Sequence, residues 1–166
     1  AISREIGDRP MEDAALNNIG AAHQGLEQYQ EALKYYQDSL AIDQELGRRA
    51  GEGLTLSNIG EIHTKLEEHQ EALEYLEEAL TIRREVGDRS GEAETLYIMG
   101  QAYYGLGDKE KALDHYRQAL ALYEGMRGEI GVEELKTSYA ETYKEVYERA
   151  VALLMELGQP GEAFHI

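Results

Sequence analysis

Residues 16–24 read "LNNIGAAHQ", and residues 56–64 read "LSNIGEIHT". Leu, Asn, Ile, Gly and His return in the same order at the same spacing, forty positions on. Writing the whole chain in rows of forty aligns it without gaps. Leu16, Leu56 and Leu96 share a column, as do Ile19, Ile59 and Met99, and Gly20, Gly60 and Gly100. Further columns hold Leu26, Leu66, Leu106; Ala32, Ala72, Ala112; Leu33, Leu73, Leu113; and Leu40, Leu80, Leu120. The opening "SREIGDR" matches "RREVGDR" at 83–89. The expected partition is therefore a tail of a preceding unit at 1–8, units at 9–48, 49–88 and 89–128, and an irregular helical unit at 129–166.

Within each row apolar residues recur at spacings of three and four, which marks amphipathic helix rather than strand. Leu16, Ile19, Gly20, His23 and Leu26 form one stripe and Leu33, Tyr36 and Leu40 the next, so each row is read as a helical hairpin. Its turn is clearest in "LGDKEKAL", where Gly107 can close one helix in the left-handed conformation and Asp108 can cap the next. Gly7, Gly47 and Gly87 are expected to close second helices the same way, with Pro10 in a first turn that tolerates a missing N–H. Glycine inside a helix costs about 0.5–1 kcal/mol relative to alanine. Its return at 20, 60 and 100 predicts that another helix packs closer there than a side chain allows. A single hairpin cannot bury its own stripe, so hairpins must stack.

These residues, Leu16, Ile19, Gly20, His23, Ala32, Tyr36 and Ser39 with their copies in the next two rows, resemble the tetratricopeptide repeat. The unit is longer than the usual 34 residues and is similar to the extended repeats of kinesin light chains and of cell-polarity adaptors that bind extended peptides. The usual repeat-ending proline is missing, which fits a second helix running on to Gly47 and Gly87. The resemblance implies an all-α fold, a right-handed superhelical α-solenoid of helical hairpins.

After Leu122 the register fails. "YEGMRGEIG" carries Gly125, Gly128 and Gly131, so the third hairpin is expected to end early in a looser connection. A single helix is expected from about 132 to 157, with Val132, Leu135, Tyr139, Val146, Ala150, Leu153 and Leu157 on one stripe, and "GQPGEAF" should start another. Read from its residues this tail fits a capping hairpin independent of any family, and it equally resembles the segment that joins tetratricopeptide repeats to a caspase-like CHAT peptidase domain in bacterial proteins. The resemblance implies a sensor or regulatory arm, with the protease's His and Cys downstream. Starting without Met and in mid-pattern, the chain is expected to be a piece of a longer protein.

Thirty-three acidic against 16 basic residues give a formal net charge of -17. Such a surface repels phosphate, which argues against nucleic acid and anionic membrane. There is no cysteine, hence no disulfide, thiol nucleophile or zinc-thiolate site. Without a long apolar run or a basic-then-apolar leader, a soluble, cytoplasmic protein is expected. The acids fall mostly on second helices away from the apolar stripe, as a solvated face does. His23 and His63 share a column with Tyr103, and a metal ligand would not be exchanged for tyrosine. With no H-E-x-x-H, phosphate loop or nucleophile elbow, neither enzyme activity, metal nor cofactor is expected.

A helical wheel puts a polar, mostly uncharged set opposite the apolar stripe of the first helices. The candidate peptide-binding residues are Asn17, Asn18, Ser57, Asn58, Glu61, Lys65, Tyr97, Gln101 and Tyr104. In the resembled family this side lines the concave surface, and asparagines at the places of Asn18 and Asn58 hold the main chain of a bound peptide; Ile98 departs from that pattern. Amide side chains pair with a ligand's backbone and tyrosines supply area at low entropy cost. The expectation is a non-catalytic scaffold that binds a protein or peptide segment. Its alternative is a structural module that forms homo-oligomers by end-to-end stacking of uncapped hairpins.

Overall fold

The computed structural model describes residues 2–129 and 138–165, with side chains described from 9 to 126 and from 140 to 162. All described regular structure is helical, as the hairpin reading predicts. The chain divides into two compact units, 1–86 and 87–166. The first holds α1 (Ile2–Gly25), α2 (Tyr29–Leu46), α3 (Arg49–Lys65) and α4 (His69–Val86). The second holds α5 (Arg89–Gly105), α6 (Lys109–Glu129), α7 (Ser138–Glu156) and a 3-10 helix at Pro160–His165. The helix pairs α1/α2, α3/α4 and α5/α6 pack as hairpins; α2 also packs on α3, and α6 on α7. No described helix is long and apolar enough to cross a membrane.

The recurring glycine has the role its spacing predicts. A Cβ on Gly20 would stand 2.8 Å from the Tyr36 ring, one on Gly60 2.6 Å from Leu76, and one on Gly100 2.3 Å from Tyr116. The second helix of each hairpin thus lays a large side chain across the backbone of the first. In the first unit Ala32, Leu33 and Tyr36 of α2 close a core with Ile59 and Ile62 of α3, and Leu56 packs with Ala79 and Ile82. Ile19, in the column of the fully buried Ile59, is 40% exposed, and Leu26 is 68% exposed. Among the described residues α1 has no second helix on the side that α2 covers on α3, so part of its predicted stripe faces solvent.

Turn chemistry separates the copies. Gly107 takes φ +80°, as predicted, and Asp108 accepts from Lys111 N–H at 3.1 Å as the helix cap. The same turn in the first unit places Glu27 and Glu67 in the left-handed region at φ 58° and 63°. A residue with a Cβ pays roughly 1–2 kcal/mol for that conformation, which a sequence without glycine there did not announce.

Two expected breaks are absent. α1 runs unbroken through Gly7 and Pro10, because glycine permits the left-handed closing conformation but does not impose it. α6 runs through Gly125 and Gly128 to Glu129, so the third hairpin does not end early. Tyr123 and Met126 continue its buried stripe, and packing of that kind overrides weak helix propensity. A Cβ on Gly125 would stand 2.7 Å from an Arg89 guanidinium nitrogen. In the expected long helix, Val146, Ala150 and Leu153 are buried on α7; its first part, with Val132, Leu135 and the Tyr139 side chain, lies outside the described residues.

Between α1, α2 and α3 sits a buried acidic pair. Asp13 and Asp43 are 4% and 1% exposed. Ser39 Oγ donates to Asp13 Oδ1 at 2.5 Å and Arg48 to Asp13 Oδ2 at 2.8 Å, while Asp43 Oδ1 has only the Arg48 Nε at 3.5 Å. Gly51 is needed beside it, since a Cβ there would lie 2.4 Å from the Asp43 oxygens. Burial first, then the neighbouring Asp13 charge, pushes the Asp43 carboxyl up to about 6 from 3.8.

Two outcomes follow from this packing. Gly100→Ala should lower stability by about 1–3 kcal/mol through overpacking, whereas in a Tyr116→Ala background it should be neutral or favourable by up to ~1 kcal/mol; urea unfolding of the four proteins checks it, and equal losses in both backgrounds would refute the contact. For Asp43, a raised folded pKa means its contribution is fully present below about 3.8 and lost as pH rises through about 6. Wild type should lose on the order of 1–3 kcal/mol across that window relative to Asp43→Asn, as measured by denaturant unfolding at a series of pH values.

Candidate functional site

The histidines resolve first. His23 stacks on Tyr35 with centroids 5.2 Å apart, and His63 on Tyr75 at 5.3 Å. In the third hairpin the pair is exchanged end for end: Tyr103 packs on His115 at 4.8 Å. Each ring pair spans the first and second helix of its hairpin. His23 Nδ1 and Gln28 Oε1 are 2.6 Å apart and His63 Nδ1 and Glu68 Oε2 2.7 Å, across the same turns. These are packing groups, and no cluster able to hold a metal ion occurs among the described residues.

The polar side of the first unit forms a real concavity. An open cleft of about 500 Å³ lies between α1 and α3, with α2 as its floor. Gln24, Asn58, Glu61, Lys65 and the Tyr36 ring line it. A relay of hydrogen bonds crosses the cleft: Tyr36 O–H donates to Gln24 Oε1 at 2.8 Å, and Gln24 Nε2 donates to Glu61 at 2.8 Å. Burial, with the Glu61 charge adding to it, pushes the Tyr36 hydroxyl up to about 12, so it stays a donor. Asn58 is half-buried in the wall and Lys65 is exposed. Neither makes a hydrogen bond or ion pair with another described residue.

Of the expected binding residues, the structure therefore brings Asn58, Glu61 and Lys65 together. Asn17 is half-buried and donates to Thr55 Oγ1 at 3.0 Å, tying α1 to α3. Asn18 is exposed outside the cleft lining. Ser57 is a correction: it is 2% exposed and its Oγ donates to Gly53 O at 3.0 Å, so it offers nothing to a ligand. Tyr36 was missed as lining, and Gln24 was left out of the expected binding residues. Gln24 lies on the predicted polar face, but Tyr36 reads as core, because its column places its ring and says nothing of its hydroxyl.

In the second unit, Tyr97 is also a correction. It is 7% exposed, donates to Glu145 of α7 at 2.6 Å, and carries the Arg149 guanidinium 5.8 Å from its ring centroid. Burial, then the bond to Glu145, holds its hydroxyl well above the usual range. Gln101 is half-buried, whereas Tyr104 is 44% exposed and donates to Glu156 at 3.2 Å.

The family model for the tetratricopeptide repeat matches residues 1–45 and 51–125. The chain belongs to the tetratricopeptide repeat family. No curated protein sequence matches it. Similar solved structures include BtubC from P. vanneervenii, with a TM-score of 0.78 at 18% identity over 95% of this chain and 61% of that one. A kinesin-light-chain-like protein of Podosopora anserina with nearly identical TPR-like repeats gives 0.68 at 17% identity, over 90% of this chain and 69% of that one. The Rap protein, solved in complex with Competence and Sporulation Factor, gives 0.68 at 20% identity, over 90% and 44%. The chain thus spans about three fifths of BtubC and less than half of Rap. At these identities the likeness shows the fold, an α-solenoid of tetratricopeptide hairpins. This is a fold of protein–protein interaction scaffolds, whose members are generally non-catalytic and generally bind protein or peptide partners.

Proposed function

We propose that this tetratricopeptide repeat chain binds an extended polypeptide segment in the cleft between α1 and α3, without catalysis. One observation carries the reading: the half-buried Asn58 amide stands in the cleft wall with its donors and acceptor uncommitted, beside the tied pair Gln24 and Glu61. An amide offers both a donor and an acceptor, the complement of one peptide unit of a ligand's main chain. Glu27 and Glu61 against Lys65 put charges of both signs on the lining, with the acids in excess by one. The Rap complex supports the reading by analogy of fold, and Asn18 is a further contact proposed at the rim. The resemblance of residues 132–166 to the segment before CHAT domains extends the proposal to a regulatory arm, through which a bound segment would control a caspase-like domain.

Binders selected from a random library of unstructured peptides test it. Asn58→Ala should weaken such a binder by about tenfold, the equivalent of 1.4 kcal/mol, and leave Tm unchanged because no intramolecular bond is lost. Undiminished affinity in Asn58→Ala and in Lys65→Ala would overturn the assignment.

A further inference from the structure

The second unit contains a different kind of cavity, of about 140 Å³, between α5, α6 and α7. Tyr104, Tyr116, Ala152 and Leu153 supply apolar walls, with Arg149 and Glu156 at the edge. Its charges are already compensated. Glu156 pairs with Lys109 at 2.9 Å and accepts from Tyr104, and Arg149 pairs with Glu145 at 3.1 Å. A charged side chain entering here would have to displace one of these partners, whereas an uncharged one displaces nothing. The volume matches the roughly 150 Å³ of an apolar cavity that accepts benzene. Two tyrosine rings and a guanidinium plane are the surroundings that favour a ring over a branched aliphatic group, through edge, face and cation–π contacts.

We propose that this cavity is an anchor pocket for one uncharged aromatic side chain of a bound polypeptide, seated against Tyr104, Tyr116 and Leu153. The polypeptide donor rests on the function proposed above; the pocket's taste for a ring does not. N-acetyl-phenylalanine amide and N-acetyl-leucine amide, titrated into the chain and followed by NMR, provide the test. The phenylalanine probe should saturate in the millimolar range, shift resonances of Tyr104, Ala152 and Leu153, and bind several-fold more tightly than the leucine probe. Ala152 is exposed on α7, so Ala152→Trp should fold and fill the cavity, weakening the probe about tenfold or more. Asn58→Ala, in the other unit, should leave the probe's affinity unchanged. No saturable shift, equal affinity for leucine, or a shift that survives Ala152→Trp would overturn the pocket. If the ring probe fails while selected peptides still depend on Asn58, the anchor pocket alone falls. If the probe saturates while no peptide depends on Asn58, the pocket stands and the first-unit cleft falls.

Discussion

The contact on which the rest depends is that between a bare glycine on each first helix and the large side chain laid across it from the second helix. Gly20 under Tyr36, Gly60 under Leu76 and Gly100 under Tyr116 set how closely the two helices of a hairpin approach. Each glycine costs its helix about 0.5–1 kcal/mol in intrinsic propensity. That cost is offset by dense contact between the helices, where many weak dispersion contacts add up.

This closeness also shapes the surface where ligands are expected. Because no Cβ blocks the way at Gly20, the Tyr36 ring crosses the α1 backbone and its hydroxyl emerges in the cleft, where Gln24 accepts it. At Gly100 the same crossing makes the Tyr116 ring a wall of the second-unit cavity. Leu76 at the middle copy carries no hydroxyl. One column of the repeat therefore serves packing and surface together, and the identity of its residue decides whether a hairpin offers a hydrogen bond, a ring or neither.

The hairpins, their pairing and the histidine packing were legible in the sequence because they follow from a period, and a period survives without knowledge of neighbours. The site was legible only in part. A helical wheel assigns one buried side per helix, but α3 is covered by α2 as well as α4, and α5 by α6 while α7 caps Tyr97. Tyr97, polar on the wheel, is buried by that coverage from α7, and Ser57, polar on the wheel as well, is buried too. The Asp13 and Asp43 pair was unreadable for a related reason: its partners Ser39 and Arg48 come from other columns of the repeat and occur together only once. The continuation of α6 turned on Tyr123 and Met126, two buried residues that outweighed two glycines.

The central claim is that recognition sits on the first helices' polar side and not on the acidic outer faces of the second helices. Amide and methyl chemical-shift mapping of a selected peptide on the labelled chain reads this directly. The account predicts perturbations centred on Gln24, Asn58, Glu61 and Lys65, with the exposed acids Glu74, Glu77 and Glu78 of α4 unmoved. Perturbations centred on those α4 acids, with Asn58 silent, would contradict it.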